Sequence, residues 1–78
     1  MANTLTLLGI LYYQQGQYGL AEPLYQRAIR IRERSLGIDH TFVADTLELY
    51  AELLMKTDRV TEASRLLTRA RSIRERAK

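Results

Sequence analysis

Apolar residues recur three or four apart in four stretches of this chain, separated by short polar breaks. In the first stretch Leu5, Leu8, Ile10 and Tyr12 keep helical spacing until Gln14-Gln15-Gly16-Gln17, where a glycine can close a helix. This predicts a helix over about residues 2–15. A second helix is expected from about Tyr18 to Leu36, on Leu20, Leu24, Ala28 and Ile31 with Tyr25 alongside. Pro23 falls near its first turn, so a small bend is expected there, without a break. Gly37-Ile38-Asp39-His40-Thr41 reads as a loop in which Asp39 or Thr41 caps the next helix. That third helix should span about 41–56. After the turn Lys56-Thr57-Asp58-Arg59, a fourth runs over about 60–77 on Val60, Ala63, Leu66, Leu67, Ala70 and Ile73. The expected fold is all-α, with four antiparallel helices in two tandem helix-turn-helix hairpins.

The two hairpins are copies of one another. Sliding the sequence by 42 residues lays Ala2 to Leu36 over Ala44 to Lys78, and 13 of the 35 pairs are identical. Chance gives about two or three, at roughly 6% identity per pair. Leu5 falls on Leu47, Leu11 on Leu53, Ala21 on Ala63, Leu24 on Leu66, Ala28 on Ala70 and Ile31 on Ile73, positions that packing would need. Arg32-Glu33-Arg34 over Arg74-Glu75-Arg76 adds a polar match that a core alone would not demand.

Composition narrows the picture. A chain of 78 residues buries only about 60% of the surface it exposes when unfolded, so its core is thin. With no cysteine, neither a disulfide framework nor a thiolate metal site compensates, and a reducing compartment, the cytoplasm by default, is expected. No basic leader opens the sequence and no long apolar run interrupts it, so neither export by a signal nor membrane insertion is expected. The net charge of +3 mixes twelve basic with nine acidic residues rather than forming a polycation.

Small residues at matched places, Gly9 with Ala21 and Ala51 with Ala63, allow close approach of helix axes. Together with Leu5-x-x-Leu8-Gly9-x-x-Tyr12, then Ala21, Tyr25 and Ala28, they resemble the signature of the tetratricopeptide repeat: large residue, leucine, small residue, tyrosine, alanine, aromatic, alanine. The resemblance covers nearly the whole chain. It implies a single domain, with repeat one at about 2–40 and repeat two at about 41–78. The 42-residue period, the string from Gln15 to Ala28, and Leu36-Gly37 with Asp39-His40 are similar to the longer repeats of kinesin light chain and its bacterial relatives. Repeat two departs at Tyr50, Leu54, Asp58 and Leu67, and Thr41 stands where that subfamily usually has proline.

Candidate chemistry is sparse. His40, the one histidine, adjoins Asp39, yet a loop histidine beside a helix start is read as structural, and one histidine without cysteine makes no metal constellation. No glycine-rich phosphate loop occurs, so neither an enzyme nor a cofactor is indicated. Tyr12, Tyr18 and Tyr25 fall on helix-packing positions, while Tyr13 is freer. The arginines of the fourth helix are interleaved with Glu62 and Glu75, as on a solvated face, which leaves nucleic-acid binding a distant alternative.

The family resemblance implies a non-catalytic module that binds a partner peptide or helix along the first helix of each pair. The groove candidates are Asn3, Thr6, Leu7, Ile10, Tyr13 and Gln14, and their equivalents Asp45, Glu48, Leu49, Glu52, Met55 and Lys56. Asp45, Glu48 and Glu52 line up on one helix face, favouring a basic or amphipathic partner unless the fourth helix's arginines neutralise them. Leu66, Ala70 and Ile73 are expected along a bare outer edge of the fourth helix, available for self-association as a homo-oligomer or for another unit of a longer array.

Overall fold

Two left-handed turns shape the hairpins. At the first, Gly16 has φ +78°, and the amides of Gly16 and Gln17 bond back to the carbonyls of Tyr13 and Tyr12 at 3.0 and 2.9 Å. This double bond pattern closes the preceding helix by satisfying its orphan carbonyls. At the second turn Asp58 adopts the same conformation (φ 63°), with the Arg59 amide on the Leu54 carbonyl at 2.8 Å. The computed structural model describes residues 2–37 and 40–77. Its helices are α1 (Ala2–Gln14), α2 (Tyr18–Leu36), α3 (Thr41–Lys56) and α4 (Val60–Ala77). All four lie within a residue of the bounds expected from periodicity, and α2 runs on through Pro23.

The cap of α3 differs from expectation. Asp39 lies outside the described residues, and Thr41 is already the first helical residue. His40 is the cap: its Nδ1 accepts the Phe42 amide proton at 3.1 Å, and its ring packs on the Phe42 ring at 4.9 Å. An imidazole nitrogen held at a helix start does what a serine or aspartate oxygen does there.

α1 packs on α2 and α3 on α4, and α2 joins the hairpins by packing on α3. The resulting slab measures 34 × 28 × 15 Å. α3 is the central helix, covered on both sides, and it buries Val43, Ala44, Thr46, Leu47, Tyr50, Ala51, Leu53 and Leu54. Each fully buried leucine contributes roughly 1.5–3 kcal/mol. In α1, covered mainly by α2, only Thr6 and Gly9 are buried among the residues whose side chains are described. Gly9 is required sterically: a Cβ there would sit 2.6 Å from Cε1 and 2.8 Å from Cδ1 of Tyr25. Burial of that ring, with smaller contributions from Tyr13 and Glu52, pushes the Tyr25 hydroxyl up to about 12.

Four positions read as core by periodicity are open instead. Leu8, Leu11, Leu20 and Val60 are 40%, 48%, 52% and 56% exposed, because among the described residues no helix lies over them. The expectation for the other end is reversed. Ala70 and Ile73, expected on a bare outer edge, are 1% exposed, since they form the stripe by which α4 packs on its partner α3. Leu66 is half-buried and packs against the core.

Candidate functional site

The groove residues expected on α1 and α3 separate into those spent on the fold and those left free to touch a partner. Asn3 belongs to the first group. Its Oδ1 accepts from Arg32 Nη2 at 2.7 Å, while Arg32 Nη1 donates to the Phe42 carbonyl at 3.0 Å and the guanidinium lies 5.4 Å from the centre of the Phe42 ring. One nearly buried arginine thus ties α2 to the starts of α1 and α3. Thr6 is also buried, at 8% exposure, and corrects its assignment to an open groove.

Asp45 and Glu48 are likewise engaged. Arg74 of α4 reaches across the second hairpin, pairing Asp45 through Nη2 and Glu48 through Nη2 at 2.8 Å and Nε at 3.1 Å. These hydrogen bonds hold the Glu48 carboxyl below the usual glutamate range, against a smaller opposing effect of burial. An arginine binding a carboxylate through two nitrogens gives both charge compensation and fixed geometry. The acidic row expected along α3 is therefore reduced to Glu52, which is exposed and makes no ion pair among the described residues.

What remains open is mostly apolar. Leu7 is 66% exposed and Met55 46%, while Ile10, Tyr13 and Leu49 are half-buried, packed on the core and open on one side. Tyr13 is steadied by a tilted contact with Tyr18, ring centres 5.4 Å apart. Gln14 and Lys56 stand exposed at the ends of α1 and α3. The surface is a shallow apolar face with one carboxylate and two polar rims.

Sequence reasoning missed the polar links that hold the two hairpins in register. Tyr50 of α3 donates to Glu22 Oε2 at 2.6 Å and accepts from Gln26 Nε2 at 2.8 Å, both on α2. Arg59 donates to the same Glu22 oxygen at 2.6 Å and to Glu62 at 2.7 Å. Burial pushes the Glu22 carboxyl upward, but the bonds from Tyr50 and Arg59 outweigh it and hold the group below its ordinary value. Arg69 of α4 pairs with Glu33 of α2. The 42-residue identity of Arg32 and Arg74 was a usable signal for those two arginines' own bonds, to Asn3 and the Phe42 carbonyl and to Asp45 and Glu48, but not for these links. Nothing periodic marked Glu22 or Arg59.

Among the described residues no group of three or more His, Asp or Glu side chains could hold a metal ion, and no helix is long and apolar enough to cross a membrane. A family model described as tetratricopeptide repeat matches residues 1–76. None of the curated proteins matches the chain.

Proposed function

The chain belongs to the tetratricopeptide repeat family, a non-catalytic family whose repeats generally mediate protein–protein contact, and from that premise we propose that it binds a partner segment along α1 and α3. The observation that carries this reading is the exposure of Leu7 and Met55 beside the half-buried Ile10, Tyr13 and Leu49. Single exposed leucines are ordinary, whereas a run of apolar side chains on adjacent helices is a surface that gains by being covered. The segment that fits is amphipathic, placing apolar side chains on Leu7 and Met55 and a cation near Glu52. With Asp45 and Glu48 already compensated by Arg74, apolar contact rather than charge carries most of the affinity. The chain then acts as one domain of two repeats, with no chemistry of its own.

Fluorescence anisotropy on labelled amphipathic peptides of basic, neutral and acidic character tests this. Basic and neutral peptides should bind, and Leu7→Asp should weaken them about tenfold or more, the effect of losing one well-covered leucine. Glu52→Lys should abolish the preference for the basic peptide. Peptide binding indifferent to Leu7, or an absence of binding across the whole panel, would overturn the reading.

A further inference from the structure

We propose that the crevice between α2 and α4 binds a small anionic amphiphile, a single carboxylate on an aromatic or aliphatic body, at a site separate from the α1–α3 surface. Both walls of this crevice lie inside the chain, one in each hairpin. Among the described residues α2 packs on α3 and not on α4, so these two helices stand apart with α3 beneath them. Two ion pairs span the gap. Glu22 reaches Arg59 at 2.6 Å near the start of α2, and Glu33 reaches Arg69 about 16 Å further along the helix.

A crevice of about 320 Å³ opens alongside these bridges. Leu47 and Tyr50 of α3 form its floor, and Ile29 of α2 and Leu66 of α4 supply apolar parts of its walls. The Tyr50 hydroxyl is already committed, donating to Glu22 at 2.6 Å and accepting from Gln26 at 2.8 Å. The charged side chains that line the crevice are both cationic. Arg69 is paired with Glu33, whereas Arg30 is exposed and makes no ion pair among the described residues. Glu22 and Glu33, the carboxylates bordering the gap, are each held by another arginine.

This arrangement sets the chemistry of the ligand. Arg30 leaves one uncompensated positive charge beside an apolar surface, and one carboxylate matches it in charge and in the geometry of the guanidinium fork. The volume stands at the lower end of ligand sites, which run from about 300 to 1,000 Å³ and are mostly apolar with a few directed polar groups. It admits a single ring or a short chain. Arg30 is also no part of the internal repeat, since the position 42 residues on is Ser72, so the packing shared by the two hairpins does not call for an arginine there.

The test titrates the 78-residue chain with 4-phenylbutyrate and follows it by two-dimensional NMR. Saturation is expected at about millimolar concentration, the affinity that about a dozen non-hydrogen atoms carry, with ring-current shifts at the Ile29 and Leu66 methyls. Arg30→Gln, at an exposed position that leaves the core intact, should weaken binding about three- to fivefold, the range of a partly exposed ion pair. The uncharged 4-phenylbutanol should bind the unaltered chain more weakly by a similar factor and should not distinguish it from Arg30→Gln. Equal affinity for acid and alcohol, indifference to Arg30→Gln, shifts centred on Leu7 and Met55, or no saturation would overturn the proposal. Inorganic phosphate binding as tightly as the carboxylate would reveal an anion site without an apolar part, and would overturn it as well. The peptide panel and Leu7→Asp judge the α1–α3 surface separately.

Discussion

The two hairpins are built on one plan, yet their outward faces differ in kind. In the first hairpin Thr6, Ile29 and Arg32 are buried, at 8%, 8% and 9% exposure. The same positions of the second hairpin hold Glu48, Arg71 and Arg74, which face water, with Arg74 joined across the hairpin to Glu48. At the other end the contrast runs the opposite way: Leu11 is 48% exposed and its counterpart Leu53 is 1%. Carboxylates and arginines cost little where water reaches them and a great deal where a neighbouring helix excludes it. The slab is therefore polar, with a charged C-terminal face that closes itself and an apolar N-terminal face that remains open.

The comparison predicts its largest effect where identical residues have different neighbours. Leu53→Ala should lower unfolding stability by about 2–5 kcal/mol, whereas Leu11→Ala should cost less than about 1 kcal/mol, because only the first leaves a cavity. Urea denaturation of both variants decides it, and equal losses would mean that α1 is covered in solution. Next in size is the pair that differs in chemistry. Gly9→Ala should cost about 1–3 kcal/mol by driving a methyl into Tyr25, and adding Tyr25→Leu, which copies the Ala51 and Leu67 combination of the second hairpin, should recover much of it. A double-mutant cycle gives the coupling directly.

Smaller changes sharpen the comparison of the turns and of the ion pairs. Asp58→Gly gives the second turn the residue of the first and should stabilise the chain by about 0.5–1 kcal/mol, since a side chain at φ 63° carries steric strain that glycine lacks. A rise in the melting temperature is the readout. The smallest effect is that of pH. Glu22 and Glu48 both titrate below the ordinary glutamate value in the folded chain, so their contribution is complete above that unfolded-state value of 4.5 and is lost as pH falls through the lower folded values. Glu22→Gln should flatten the acid side of the stability profile more than Glu52→Gln does.

Much of the candidate site could be named from sequence, but not sorted. Leu7, Met55 and Glu52 were identifiable as surface positions of the first helix in each pair, and they are exposed. Thr6 could not be told from them, because helical spacing places it on the same face without showing that its surroundings bury it. Whether Asp45 and Glu48 were free or paired with the fourth helix's arginines stayed open in the sequence, because their partner Arg74 is more than 25 residues away and reaches them only after the hairpin closes. His40 as a cap was hidden by the better-known capping residues on either side of it.

The sequence by itself determined the four helices, their turns, the internal repeat and the family, because these rest on local periodicity, glycine-type turns and matched spacing that hold in each unit separately. Only the tertiary structure decided which copies of a repeated residue are buried. Leu11 and Leu53 occupy the same position in the motif, and their burial differs because, among the described residues, α2 packs on the second hairpin while no helix packs on the first from the corresponding side. Ala70 and Ile73 turned inward on the same principle. A repeated pattern carries no mark of where the array begins or ends until neighbouring helices remove water from one side of it.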